Sequence, residues 1–117
     1  MEIQRQFYLD ELIRKQGNGF VKIITGLRRC GKSYLLRTIF KNHLLVNGTA
    51  PEEIVEMAFD ERDNKKFRDP DVFYEFAKEK LAQQPDTIFL LDEIQLLGDF
   101  ESVLNGLLGK NAEIYAT

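Results

Sequence analysis

A single thiol, Cys30, is present in 117 residues, so no disulfide can close within the chain and none staples its fold. That usage fits a protein made in a reducing compartment. Long apolar runs are also missing. The opening Met1-Glu2-Ile3-Gln4-Arg5-Gln6 mixes acid with base and leads into none, so neither a secretory signal nor a membrane anchor is read there. A cytoplasmic location without a membrane partner is the expectation. Positive charge is not in excess either: the formal net charge is −3, which removes any global attraction for nucleic acid or anionic lipid. Repeats and low-complexity stretches do not occur. What is there is a globular composition, 44% hydrophobic, sufficient for one core without metal or disulfide support.

Two periodicities organise the chain. Leu9, Leu12 and Ile13 at helical spacing predict a helix from about Ile3 to Gln16, stopped by Gly17-Asn18-Gly19 and packed on the domain's edge. Val21 to Thr25 is β-rich and too short for a helix, hence a buried strand. Lys32 to Val46 carries Leu35, Leu36, Ile39, Phe40 and Leu44 as an apolar stripe, with Asn47-Gly48 as its exit. His43 falls in its last turn, where it favours the helix C-terminus. Ile54 to Phe59 is a second strand, and Asp69-Pro70 supplies the N-cap and first-turn proline of a helix through Val72, Phe73, Phe76, Ala77 and Leu81. Gln83-Gln84-Pro85 ends it. Thr87 to Leu91 reads as a strand covered on both faces. Phe100, Val103, Leu104, Leu107 and Leu108 then predict a helix that exits at Gly109, and Glu113 to Ala116 a fourth strand. Strands separated by helices cross over in parallel, so the expected fold is an open α/β sheet with flanking helices and an N-terminal helix. An apolar strand at Tyr115-Ala116-Thr117 reads as cut at the edge where such sheets bind ligands, suggesting a piece of a longer protein. Lys65-Lys66-Phe67-Arg68 is a local basic run with one aromatic, but Asp60, Glu61, Asp63 and Asp69 flank it, and it is read as a solvated loop.

The chemistry is concentrated in two stretches. Gly26-Leu27-Arg28-Arg29-Cys30-Gly31-Lys32-Ser33 has the spacing G-x-x-x-x-G-K-S between a predicted strand and a predicted helix. Glycines at those positions let backbone N–H groups turn inward around phosphate oxygens, where a Cβ would obstruct them. The helix N-terminus adds its positive dipole end. Lys32 is placed to reach the β- and γ-phosphates as a point charge, and the Ser33 hydroxyl is a hard oxygen suited to Mg²⁺. The second stretch is Ile88-Phe89-Leu90-Leu91-Asp92-Glu93. Asp92, at a strand's carboxyl end, suits Mg²⁺ through its water shell, and Glu93 suits a base that polarises an attacking water. Alone, the acidic pair would read as a cap for the next turn. Cys30 stands at a variable loop position beside Arg29; redox control of nucleotide binding is the alternative to a filler role.

These motifs resemble the Walker A and Walker B of P-loop NTPases. The stretch from Gly26 to Ser33, then Leu91-Asp92-Glu93-Ile94-Gln95 and Ile114-Tyr115-Ala116-Thr117, is similar to the AAA-type ATPases of bacteria and archaea with an "RRxGKS" loop and a "DEIQ" motif. The resemblance spans the whole chain, 1–117, as the N-terminal part of the ATPase module. It implies the strand order 2-3-4-1, with Thr117 beside the γ-phosphate. It also implies ATP and Mg²⁺ as cofactors. Gly26, Leu27, Arg28, Arg29, Cys30, Gly31, Lys32, Ser33, Tyr34 and Thr117 would bind nucleotide, Ser33 and Asp92 the metal, with Lys32 and Glu93 catalytic. Members usually carry a further C-terminal domain, which admits a homo-oligomer and a protein or DNA partner. No fifth strand, helical lid or downstream arginine finger is readable in these residues, so hydrolysis is expected of the full-length protein. Arg28 and Arg29 either supply part of that charge to phosphate or a neighbouring subunit, or are solvated or paired with acids such as Asp60. Two other enzyme classes fit less well. Asn64-Lys65-Lys66-Phe67 lacks the aspartate of a guanine-reading N-K-x-D, Asp92-Glu93-Ile94-Gln95 lacks a D-x-x-G switch glycine, and a small-molecule kinase has no need of Glu93. The rival from another class is a switch or assembly module that binds ATP with little or no turnover.

Overall fold

The structure, a computed structural model, describes residues 2–24 and 29–117, with side chains over 6–24 and 31–117. Its centre is one sheet of four parallel strands: β1 (Lys22–Ile23), β2 (Ile54–Ala58), β3 (Ile88–Asp92) and β4 (Glu113–Ala116). Their order is β1-β4-β3-β2, which is the expected 2-3-4-1 read from the other edge. Ala58 lies opposite Asp92, Leu91 opposite Ala116 and Ile23 opposite Ala116, so the carboxyl ends of all four strands finish near one level. β1 is shorter than the expected Val21–Thr25. Ile24 still donates its N–H to Ala116 O at 2.9 Å, and Thr25 lies outside the described residues.

Alternation along the strands divides the apolar residues between two layers. Leu90, Tyr115 and Ile24 face one layer, made by Leu12 of α1 (Glu2–Arg14) and by Leu35, Leu36, Phe40 and Leu44. Val55, Met57, Phe89, Leu91, Ile114 and Ala116 face the other, made by α4 (Pro70–Gln83) and α5 (Phe100–Leu108). The reason is directional. The chain crosses from one sheet edge to the other between β1 and β2, then steps back through β3 to β4, and a constant right hand puts the two sets of crossovers on opposite faces. β3 is sandwiched by both layers, which is why its sequence is a continuous apolar run.

The helix after β1 departs from expectation in two ways. It starts at Arg29 rather than Lys32, in α2 (Arg29–Tyr34). Glycine is costly in a helix interior, but Gly31 sits in the first turn, where that cost is small. It then runs π-helically through Leu35–Phe40 before resuming as α3 (Lys41–Val46). A π stretch has no signature in an i, i+3, i+4 pattern, because the same apolar residues serve either winding. His43, in the last turn as expected, stacks on Phe40 with centroids 6.1 Å apart.

Asp69 caps α4 as anticipated: its Oδ1 accepts the N–H groups of Asp71 at 2.9 Å and Val72 at 3.3 Å. The stretch containing Lys65 to Arg68 corrects the loop reading. It is a 3₁₀ helix, Arg62–Arg68, anchored where Phe67 packs on Phe76 (4.9 Å between centroids) and Arg68 Nε donates to Phe59 O at 2.8 Å. Its aromatic is therefore spent on packing, which a run of flanking charges conceals in sequence.

At the amino ends of the strands lies a buried polar cluster. Lys22 is 4% exposed, and its Nζ donates to Glu113 Oε1 at 2.9 Å. Glu113 Oε2 also accepts the Tyr115 hydroxyl and, at 2.8 Å, the Gly17 N–H, tying the turn after α1 to β4. Burial pushes the Glu113 carboxyl up, but the Tyr115, Gly17 and Lys22 donors outweigh it and hold it below the usual carboxylate range. Burial and Glu113 together push the Tyr115 hydroxyl up. A depressed carboxyl contributes stability that is complete above the unfolded value, near pH 4.3, and is lost as pH falls through the folded value. Glu113→Gln strands the Lys22 ammonium and should cost about 3 kcal/mol at neutral pH. Urea melts at pH 7 and pH 3 check this: the stabilities of the wild type and the Glu113→Gln variant should converge at the lower pH.

Candidate functional site

Sheets of this kind bind ligands outside the carboxyl ends of their strands, where the direction of crossing reverses. Here β3 ends in Asp92, β4 leads into Thr117, and the helix that follows β1 carries Lys32 and Ser33 in its first turns. Asp92 is 4% exposed. A carboxylate that dry needs donors on both oxygens. Ser33 Oγ donates to Oδ2 at 2.7 Å, and Thr117 Oγ1 donates to Oδ1. The structure thus brings together three polar residues from positions 33, 92 and 117, through the helix after β1 and the ends of adjacent strands.

Thr117 is held from both sides. Its N–H donates to Leu91 O at 2.9 Å, its carbonyl accepts the Ile94 N–H at 3.0 Å, and its hydroxyl accepts the Glu93 N–H at 3.1 Å. Glu93 is left-handed, with φ 58° and ψ 51°, a conformation that an L-residue adopts at some cost. That bend ends β3 and turns Glu93 away from the strand direction. Its Oε1 accepts Gln95 Nε2 at 2.6 Å. Neither the left-handed bend nor the part played by Gln95 was readable in sequence, since glutamate is not a residue that signals positive φ.

A second group of charges was missed. Arg37, in the π stretch, donates through Nε to Glu56 Oε2 at 2.7 Å and through Nη2 to Glu61 Oε1 at 3.1 Å, while Nη1 lies 4.0 Å from Asp92 Oδ2. Lys41 Nζ reaches the other Glu56 oxygen at 2.7 Å. Burial pushes the Glu56 carboxyl up, yet the Lys41 and Arg37 hydrogen bonds prevail and hold it below the usual range. The Glu56 hydrogen bond pushes the Arg37 guanidinium up, against its partial burial. The spacing of Ser33, Arg37 and Lys41, four residues each, was the available signal that the three share one side of the helix.

Of the remaining predicted residues, Gly31 and Lys32 are partly buried in α2 and Tyr34 is 48% exposed. Gly26, Leu27 and Arg28 lie outside the described residues, as do the side chains of Arg29 and Cys30. A cavity of about 340 Å³ between α1 and β1, lined by Phe7, Tyr8, Leu12, Phe20 and Ile24 among others, contains none of the predicted site residues. Ser33 Oγ and the Asp92 carboxylate are hard oxygens of the kind Mg²⁺ takes. Among the described residues no group of three or more His, Cys, Asp or Glu is placed to hold a metal ion by itself. The donor set therefore fits a cation that draws its other oxygens from water and phosphate, as Mg²⁺ commonly does.

Comparison with known proteins agrees with the fold. The profile of a family described as AAA domain matches residues 18–117. A protein of Haemophilus influenzae named "Uncharacterized protein" is 33% identical over 117 residues, an alignment covering 98% of this chain and 29% of the relative. The chain thus spans less than a third of that relative's length. No solved structure matches it significantly.

Thr117→Val removes the donor to Asp92 Oδ1 and the acceptor of the Glu93 N–H while preserving shape. Leaving one buried carboxylate oxygen without its donor should destabilise the chain by about 1–3 kcal/mol, measured as a lowered urea midpoint with an unchanged slope.

Proposed function

The chain belongs to the AAA domain family, and we propose that it is the N-terminal part, residues 1–117, of an ATPase module that binds Mg-ATP at Gly26 to Ser33 and hydrolyses it in the full-length protein. The observation that carries this reading is the 2.7 Å contact between Ser33 Oγ and Asp92 Oδ2. It joins the residue after the phosphate-loop lysine to the acid at the end of β3. Among the described residues no helix is long and apolar enough to cross a membrane. A cytoplasmic setting is part of the same proposal.

In this reading the backbone N–H groups of the loop and the start of α2 cradle the phosphates, and the Lys32 ammonium neutralises charge on their outer oxygens. Ser33 Oγ and the Asp92 carboxylate would hold Mg²⁺, which when bound would neutralise further charge on the phosphate oxygens. Thr117 keeps Asp92 oriented by its hydroxyl and, through the Glu93 N–H, fixes where Glu93 leaves the strand. Glu93 then polarises the attacking water and accepts its proton. Gly26, Leu27, Arg28, Arg29, Cys30, Gly31 and Tyr34 complete the nucleotide-binding stretch. A second copy of the chain, and a protein or DNA bound through a C-terminal region, are the partners of the same proposal.

One observation favours the rival reading, binding with little turnover: the Glu93 carboxylate already accepts Gln95 at 2.6 Å, a contact that competes with water. Calorimetric titration of this chain with Mg-ATP, alongside Lys32→Ala, tests the shared part. Saturable binding lost in Lys32→Ala while circular dichroism stays unchanged supports it, and equal binding by both removes Lys32 from the site. Glu93→Gln in the full-length protein separates the two readings. Phosphate release should fall by about 10²-fold or more with ATP binding retained; an unchanged rate would remove Glu93 as the base.

A further inference from the structure

Arg37 has no role in the reading above, yet it joins more of the site's carboxylates than any other described side chain. All three of its guanidinium nitrogens face acids from different segments: Glu56 in β2 at 2.7 Å, Glu61 beyond β2 at 3.1 Å and Asp92 in β3 at 4.0 Å. Lys41 adds a second cation on Glu56 at 2.7 Å. Among the described side chains in these contacts, two cations face three carboxylates, an excess of one negative charge. Geometry places it at Asp92, because Glu56 is taken by both cations and Glu61 by a direct guanidinium contact, whereas Asp92 is met only at 4.0 Å. Asp92 is also the buried member, with its side chain 6% exposed against 22% and 50% for Glu56 and Glu61.

Resting on the assignment of Asp92 to the metal, we propose that Arg37 is a positioning residue that confines the site's negative charge to Asp92, by holding Glu56 and Glu61 as its own partners. Without it, Glu56, Glu61 and Asp92 would have Lys41 on Glu56 as the only other cation shown in contact with them among the described residues. Loss of the Arg37 cation makes the potential around Asp92 more negative, which strengthens the attraction of a divalent cation there without nucleotide and repels the tetra-anionic ATP. The planar fork of arginine suits this task, since its N–H groups diverge toward separate acceptors in fixed directions, which a lysine ammonium cannot reproduce in full. The π stretch contributes by carrying Arg37 within the segment that also buries Leu35, Leu36 and Phe40, so its backbone is fixed against the sheet.

The test compares the wild-type chain with Arg37→Gln, Arg37→Lys and Arg37→Gln/Glu61→Gln. Mn²⁺ binding is followed by electron paramagnetic resonance without nucleotide, and ATP affinity by calorimetry in EDTA and in Mg²⁺. Arg37→Gln should bind Mn²⁺ about tenfold more tightly than wild type and ATP in EDTA about tenfold more weakly. Arg37→Lys should fall between. Removing a second charge in Arg37→Gln/Glu61→Gln should bring both values back toward wild type, a rescue that a purely structural role for Arg37 would not show. Mn²⁺ affinity unchanged by Arg37→Gln, or no recovery in the double variant, overturns the proposal. Should Arg37→Gln fail to fold, Glu61→Gln at a half-exposed position carries the test: ATP binding in EDTA should tighten about two- to threefold, and no change overturns it. Wild-type chain that binds no ATP in either buffer would instead count against the nucleotide reading, while the nucleotide-free Mn²⁺ comparison still decides the role of Arg37.

Discussion

A carboxylate buried at the end of the central strand is the constraint from which the rest of this site follows. Asp92 is 4% exposed, and an ionised group so placed is tolerated only when donors replace its lost water. The chain meets that demand with hydroxyls rather than with a full ion pair. Ser33 takes one oxygen, Thr117 the other, and the Arg37 guanidinium stands off at 4.0 Å. Hydroxyl donors satisfy the carboxylate without neutralising it.

Holding this arrangement is the work of the two apolar layers. Ser33 comes from the helix on one face of the sheet, and its position depends on Leu35, Leu36 and Phe40 packing on Leu90 and Tyr115. Asp92 ends β3 and Thr117 follows β4, strands whose other face is covered by Phe73, Ala77, Val103, Leu104 and Leu107. Parallel pairing sets the ends of β3 and β4 side by side, with Leu91 opposite Ala116. Glu93 carries a local cost in its left-handed backbone, which the Thr117 and Gln95 hydrogen bonds offset. Two elements thus position the metal-ligand candidates, while the Glu93 carboxylate lies past the strand end, where Gln95 Nε2 donates to it.

Legibility differed between these levels. Every strand and helix of the sheet and its layers was visible as a periodicity, because burial on one face imposes a helical period and burial on two faces imposes an apolar run. Boundaries were less exact, as at the start of α2, which lies at Arg29 rather than Lys32. Capping was readable at Asp69-Pro70 because proline and aspartate act locally. What escaped were features with no local cause. The π winding of Leu35–Phe40 leaves the apolar pattern intact, Phe67 packs on Phe76 from a separate element, and the Glu56 contacts of Arg37 and Lys41 join a helix to a strand. Arg37 in sequence is one more charge on a helix surface.

By itself the sequence determined the α/β class, the parallel sheet and the placing of Ser33, Asp92 and Thr117 at the ends of its elements, since each of these rests on spacing within a short segment. Tertiary structure alone decided which of them meet. Ser33 and Asp92 are 59 residues apart and Asp92 and Thr117 are 25 apart, so their contacts exist only when helix and strands pack in one register. The same packing brought Arg37 between Glu56, Glu61 and Asp92. Charge balance at a site is a sum over distances, and distances across a sheet are not written in any one segment of the chain.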